Sequence, residues 1–237
     1  VTKISVIIPA LNEEEYIPKL LESIERQTYE DYEVILCDGG STDDTVNVSK
    51  EHGAKVVEGD GDGPGAARNK GARKAIGDIM LFIDSDVELT HRKVFDEVEE
   101  SLMRDNIVGG TSTWKVHDAN LRAKLGYKAS SKIVFYLNKL GIKPAAVGTF
   151  LFVEKEEFQR IGGFDEELPF HEDHDLFDKL NQEGETVCLS KTHSTSGRRV
   201  VENGLMNTAR TYFIPSFYYM IGKEKRMKEK FKFQGAV

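Results

Sequence analysis

Cysteine is scarce in this chain: Cys37 and Cys188 are the two among 237 residues. Neither has metal-ligand spacing, and both stand in apolar, strand-like contexts, so they read as buried thiols of a reducing compartment, with a disulfide left open. Positive charge is also in deficit, with 32 Lys and Arg against 40 Asp and Glu and a formal net charge of -8. Phosphate-backbone affinity needs clustered Lys and Arg, so this balance excludes bulk nucleic-acid binding. It also works against an anionic substrate unless a cation or a local arginine patch inverts the field. Long apolar runs are missing: Pro144 to Val153 and Tyr212 to Met220 are nearly uncharged but too short to span a bilayer. No signal peptide is visible, because the apolar stretch from Val1 to Ala10 continues into structural sequence without a cleavage site. A cytoplasmic location is expected, with attachment at the cytoplasmic membrane face left open. No Gly-x-Gly-x-x-Gly follows the first apolar run; Pro9-Ala10-Leu11-Asn12-Glu13 offers no phosphate cradle, so a standard dinucleotide fold is excluded.

What is present is strand–helix alternation. Ile4 to Pro9, Tyr32 to Cys37, Ala54 to Val57 and Ile79 to Ile83 read as strands. Between them, Ile17, Leu20, Leu21 and Ile24 predict an amphipathic helix, and Ser41 or Thr42 is expected to cap a second helix bearing Val46 and Val48. Asp60 to Gly65 is a glycine-rich loop, and Ala66 to Ala75 returns to helix. Such spacing predicts an α/β chain with strand order 3-2-1-4 and a switch point between strands one and four, where a nucleotide would bind. Ile79 to Ile83 ends in Asp84-Ser85-Asp86, two carboxylates that repel each other unless a cation lies between them. An Asx turn closing the strand is the plainer reading.

Beyond Asp86, a charged helix is expected over Arg92 to Asp105 and a strand over Ile107 to Thr113. A long helix bent near Ser130-Ser131 covers Ala119 to Leu140. Ala145 to Val153 reads as a strand, Glu154 to Arg160 as a short helix, Asp173 to Glu183 as a helix and Val187 to Ser190 as a last strand. Gly204 to Met220 is aromatic-rich and helical in pattern, running into the basic stretch from Lys223. That tail suits a helix lying on an anionic membrane or one packed on the domain with a solvated basic end. No internal repeat or dividing linker is seen. One domain over residues 1–237 is expected, with a nucleotide-binding half at 1–110, an acceptor and catalytic half at 111–200 and the tail at 201–237.

Several stretches, in order, resemble one family. They are Val6-Ile7-Ile8-Pro9-Ala10-Leu11-Asn12-Glu13, Asp38-Gly39-Gly40-Ser41-Thr42-Asp43, Gly65-Ala66-Ala67-Arg68-Asn69-Lys70-Gly71, Ala75-Ile76-Gly77-Asp78 into Asp84-Ser85-Asp86, and Gly162-Gly163-Phe164-Asp165-Glu166 into Glu172-Asp173-His174-Asp175-Leu176. The chain resembles the inverting GT-A glycosyltransferases of family 2, of the bacterial and archaeal kind, over roughly residues 4 to 180. The resemblance implies the GT-A (nucleotide-diphospho-sugar transferase) fold, a mostly parallel central sheet with helices on both faces. It implies a hexosyltransferase using Mg²⁺ or Mn²⁺ and a UDP- or GDP-sugar donor. The implied donor-site residues are Pro9, Leu11, Asn12, Glu13, Asp38, Gly65, Arg68, Asn69, Asp84 and Ser85. Asp38 is expected at the base ring and Glu13 near the ribose. Asp86 is the implied metal ligand and Asp173 the implied base, with Glu172 the alternative.

His193, after the last predicted strand, is a further candidate for the metal or the diphosphate; a simple loop histidine is the other reading. Arg198 and Arg199, beside Gly197, are candidates to clamp the departing diphosphate, or else loop arginines facing solvent. Trp114, the only tryptophan, either stacks on a sugar or packs in the core. The Gln-x-x-Arg-Trp element of processive synthases is replaced here by Thr195-Ser196-Gly197-Arg198-Arg199, so transfer of one sugar per encounter is expected. The expected acceptor is a glycan, a lipid-linked or a small molecule. The alternatives are a polyprenyl-phosphate glycosyltransferase of the dolichyl-phosphate hexose synthase type, a silent sugar-nucleotide-binding scaffold, and a nucleotidyltransferase. The last would need a glycine-rich basic loop where Leu11-Asn12-Glu13-Glu14 stands. The sequence also fits a soluble domain cut from a longer membrane-bound chain.

Overall fold

The computed structural model describes residues 2–59, 63–119, 148–168 and 171–198, together with 124–126, 128–129, 131–132 and 135–136. The first half alternates β1 (Ile4–Ala10), α1 (Ile17–Glu25), β2 (Tyr32–Asp38), α2 (Thr45–Glu51), β3 (Lys55–Glu58), α3 (Pro64–Lys74) and β4 (Ile79–Ile83). It continues with β5 (Val87–Leu89), α4 (Val94–Leu102), β6 (Ile107–Val116), β7 (Phe150–Glu154), α5 (Lys155–Arg160), α6 (Glu172–Glu183) and β8 (Glu185–Thr195). One eight-stranded sheet runs β3-β2-β1-β4-β7-β6-β8-β5. The expected order 3-2-1-4 is present and parallel, with Val6 opposite both Val34 and Leu81. β7 then joins β4 antiparallel, Leu81 facing Phe152, and β6 and β8 run parallel to each other.

Alternation along the strands builds two cores. Ile4, Val6, Ile8, Leu36, Leu81, Ile83 and Phe152 face one side, where Leu20, Leu21 and Ile24 of α1 and Val94, Phe95 and Val98 of α4 cover them. Ile7, Ile35, Cys37, Met80, Phe82 and Leu151 face the other, under α3, Phe158 of α5 and Leu176, Phe177 and Leu180 of α6. All five residues of β4 are buried. A strand covered on both faces has no polar side to alternate with, and each such large apolar side chain contributes about 1.5–3 kcal/mol. α3 lies close on the sheet through Gly71, where a Cβ would overlap Cys37 Sγ and Ile7 Cγ2.

Some expected boundaries move. β5 was not foreseen, because three residues give no periodicity to read. β8 is 11 residues long rather than the short run expected, since its polar half, Lys191 to Thr195, pairs with β5 and β6. α6 begins at Glu172. Neither Ser41 nor Thr42 caps α2; Asp44 occupies that position, and both residues are bonded to Asn12 instead. The described parts of 124–136 are helical, while the predicted bend at Ser130, the start of the Ala145 strand, Arg199 and the tail at 201–237 lie outside the described residues. Cys37 and Cys188 are free thiols, Cys37 buried and Cys188 partly exposed. Among the described residues no helix is long and apolar enough to cross a membrane.

Candidate active site

The carboxyl ends of β1 and β2 carry two loops that are stitched together. The Asp38 carboxylate accepts from the backbone N–H of Gly40 at 3.2 Å and Ser41 at 3.1 Å, which folds the turn after β2. Asn12 sits in the left-handed region at φ 54°. Its Oδ1 accepts from Thr42 N at 2.9 Å, and its own N–H donates to Ser41 Oγ at 3.0 Å. Glu13 N donates to Thr45 Oγ1 at 2.7 Å. Pro9, Leu11, Asn12, Glu13 and Asp38 are thus gathered at the carboxyl ends of these two strands by the pairing of Ala10 with Asp38.

Arg68, on the buried face of α3, is 3% exposed and joins distant parts of the chain. Its Nη2 donates to Asp84 Oδ1 at 2.8 Å and to the Gly148 carbonyl at 3.3 Å, and its Nη1 to Glu172 Oε1 at 2.5 Å. The guanidinium also lies 5.4 Å from the Phe164 ring centroid. Burial opposes its charge, but Asp84 and Glu172 more than restore it, so its pKa is raised. Glu172 is pushed up by burial against the pull of Arg68. Gly65, in the first turn of α3, packs on the Glu172 stem. Asn69 spends its amide on the next turn: Nδ2 donates to Phe164 O and Glu166 Oε1, both at 2.9 Å, and Oδ1 accepts from Phe164 N at 3.0 Å.

Ser85 and Asp86 are buried where β4 ends. Thr195 Oγ1 donates to Asp86 Oδ1 at 3.2 Å, and Ser196 N donates to the Asp86 carbonyl at 3.1 Å. Arg198 reaches from this turn back to the first loop, pairing with Glu13 and stacking 4.4 Å over the Tyr16 ring. His193 is not in a loop after the last strand but inside β8, fully buried and stacked on Phe150 at 5.2 Å. Its Nε2 lies 3.0 Å from Thr149 Oγ1 and its Nδ1 3.2 Å from Ser112 Oγ. Burial pushes its pKa down to about 3. Trp114 is half-buried on β6, in register with His193.

Asp173 stands in the first turn of α6. Its Oδ1 accepts from His174 N at 2.9 Å and lies 3.1 Å from His174 Nδ1. Its Oδ2 lies beside Gly148, where a Cβ would come within 2.8 Å of it. Burial alone would raise this carboxyl; the His174 charge and hydrogen bond, then His171 and Arg68, outweigh it and hold it below the usual carboxylate range. Asp173 is therefore ionised at neutral pH. His171 is pushed down to about 4, by burial first and the His174 charge second.

Asp86, backed by the Thr195 hydroxyl, offers oxygen ligands and so fits a hard cation such as Mg²⁺ or Mn²⁺. His193, with both ring nitrogens against hydroxyls, belongs to no metal-ligating cluster of three or more among the described residues. Thr195, and Glu172 as the partner of Arg68, escaped the sequence reading. The Arg68–Glu172 pair spans 104 positions, and nothing local announces it.

The family model for glycosyl transferase family 2 matches residues 5–155. An uncharacterized glycosyltransferase of Rickettsia conorii is 36% identical over 123 residues, 49% of this chain and 20% of that protein. The chain thus corresponds to only part of the curated relatives it matches, 32% of another. A mannosyltransferase from Pyrobaculum calidifontis, solved with GDP-Man and Mn²⁺, superposes with a TM-score of 0.67 at 18% identity, covering 82% of this chain and 56% of that one. Glucosyl-3-phosphoglycerate synthase from Mycobacterium tuberculosis, solved with Mn²⁺, UDP and glucosyl-3-phosphoglycerate, superposes with a TM-score of 0.64 at 23% identity, covering 93% and 80%. At these identities the structures share the fold, a GT-A sheet with helices on both faces.

Proposed function

This chain belongs to glycosyl transferase family 2 and is a glycosyltransferase, and from that premise we propose that it moves one hexose or N-acetylhexosamine from a UDP- or GDP-sugar, with inversion, to a hydroxyl of a glycan, a lipid-linked or a small-molecule acceptor. The observation that carries the reading is the Arg68 bridge. It ties Asp84, at the mouth of β4, to Glu172, and so fixes the neighbouring Asp173 relative to that mouth. The presence of GDP-Man or UDP with Mn²⁺ in two proteins of the same fold supports the donor class.

In this reading Asp38 and Asn12 shape the base pocket, and Glu13 meets the ribose region. Asp86 would hold the divalent cation, which when bound neutralises the departing diphosphate. Arg198, and Arg199 beyond the described residues, supply charge-assisted hydrogen bonds to the same phosphates. Asp173 accepts the proton of the acceptor hydroxyl as that oxygen attacks the anomeric carbon opposite the leaving group. His174 occupies Oδ1, so Oδ2, on the Gly148 side, is the atom that takes the proton. A cytoplasmic setting belongs to this reading and is supported by the free thiols.

The test is a panel of UDP-, GDP- and dTDP-sugars assayed for hydrolysis and transfer with Mn²⁺, Mg²⁺ and EDTA. Turnover with a UDP- or GDP-sugar that EDTA abolishes is expected. No metal-stimulated binding or turnover with any donor would overturn the reading.

A further inference from the structure

The chain enters α6 through His171, a non-glycine residue in the left-handed region at φ 65° and ψ 22°. Along a helix, residues three positions apart are neighbours, whereas those one or two apart do not face each other. The rings of His171 and His174, three positions apart, meet edge-on with centroids 5.0 Å apart. His174 Nδ1 lies 3.1 Å from Asp173 Oδ1. One ligand-capable atom from each of His171, Asp173 and His174 falls within 4.8 Å of the other two.

We infer that His171, Asp173 and His174 form a second metal site, for a borderline-soft divalent ion such as Zn²⁺, and that its occupation inhibits transfer. The chemistry of the two sites differs in kind. Asp86 with the Thr195 hydroxyl is an oxygen site suited to Mg²⁺, whereas two imidazoles and one carboxylate are the donor set of many three-residue zinc sites with an open fourth position. Zinc binds nitrogen ligands strongly where Mg²⁺ does not, so excess Mg²⁺ leaves the histidine site available. The positive end of α6 opposes a cation, but only weakly beside ligation by three side chains. Inhibition follows because a carboxylate oxygen shared with Zn²⁺ no longer has the basicity to take a proton. That consequence rests on the role of Asp173 proposed above; the binding does not.

The test titrates the full chain with Zn²⁺ by calorimetry in excess Mg²⁺, beside H171Q and H174Q, whose folding is checked by circular dichroism. Binding of one Zn²⁺ is expected, weakened at least tenfold in each variant. Co²⁺ in place of Zn²⁺ should give a visible ligand-field spectrum that both variants lose. Zn²⁺ affinity and Co²⁺ spectrum equal in wild type and both folded variants would overturn the proposal. A site lost in the variants, in a protein that transfers sugar from no donor, would uphold it and discard the functional reading instead. Transfer that Zn²⁺ leaves untouched at saturation of the site would overturn the inhibitory part.

Discussion

Asp86 and Asp173 are the two carboxylates the proposed reaction depends on, and their surroundings are opposites. Asp86 follows a buried strand and is met by a hydroxyl from β8. Asp173 opens a helix, next to one imidazole and near another, with a buried guanidinium on its neighbour Glu172. The first setting presents oxygen ligands of the kind a hard cation takes. The second holds the carboxyl below the usual carboxylate range through His174, His171 and Arg68, with Oδ1 engaged by His174. In the proposed reaction, charge neutralisation and proton transfer are separated by what packs beside each aspartate.

The sharpest way to break this contrast is D173N. It should lower the transfer rate by roughly 10²–10⁴-fold, the usual worth of a positioned base, while nucleotide affinity measured by calorimetry stays within about twofold. A transfer rate near wild type would remove Asp173 from its role. R68A comes next, because it attacks the link between the two settings. Removing one partner of a buried ion pair costs about 3–5 kcal/mol. The low end is expected here, because burial already raises Glu172 and lets it take up a proton. Urea unfolding measures the loss; a change below about 1 kcal/mol would mean that Arg68 is not holding the site together.

His193 tests the strand that backs Asp86. Its folded pKa of about 3 lies below the ordinary value of 6.5, so the unfolded chain binds the extra proton between those limits. Its contribution is fully present above about pH 6.5 and is lost as pH falls towards 3. Between pH 7 and pH 5 wild type should lose about 2 kcal/mol from this group. H193N should lose that much less over the same interval. Parallel pH profiles would contradict a buried neutral ring. T195V is the smallest change. It removes one hydroxyl donor to Asp86 and should weaken metal-dependent donor binding by about 1 kcal/mol, roughly fivefold, with little effect on the rate at saturation.

The two regions also differ in how far the chain announces them. The β1–β4 half was legible because each strand is an unbroken apolar run and each loop carries its chemistry locally; Asp38 and Asp86 stand at strand ends that periodicity alone locates. The order 3-2-1-4 followed from that spacing. The second half was harder. β5 is three residues long, and the polar end of β8 pairs with that short edge strand on one side and with β6 on the other. His193 looked like a loop residue for that reason, although its ring is fully buried. Contacts such as Arg68–Glu172 and Thr195–Asp86 join residues 104 and 109 positions apart, and no local pattern encodes them. Asp173 was placed by family likeness, while its contact with the His174 ring, and the packing of His171 on that ring, became apparent only in the structure.

The division of labour between the two aspartates is tested most directly by nucleotide binding with and without Mn²⁺ in wild type, D86N and D173N. UDP and GDP serve as probes in a calorimetric titration. Mn²⁺ should strengthen binding of one of them to wild type and to D173N alike, and D86N should lose at least tenfold of that enhancement. Equal Mn²⁺ enhancement in D86N and wild type, or its loss in D173N alone, would contradict the account.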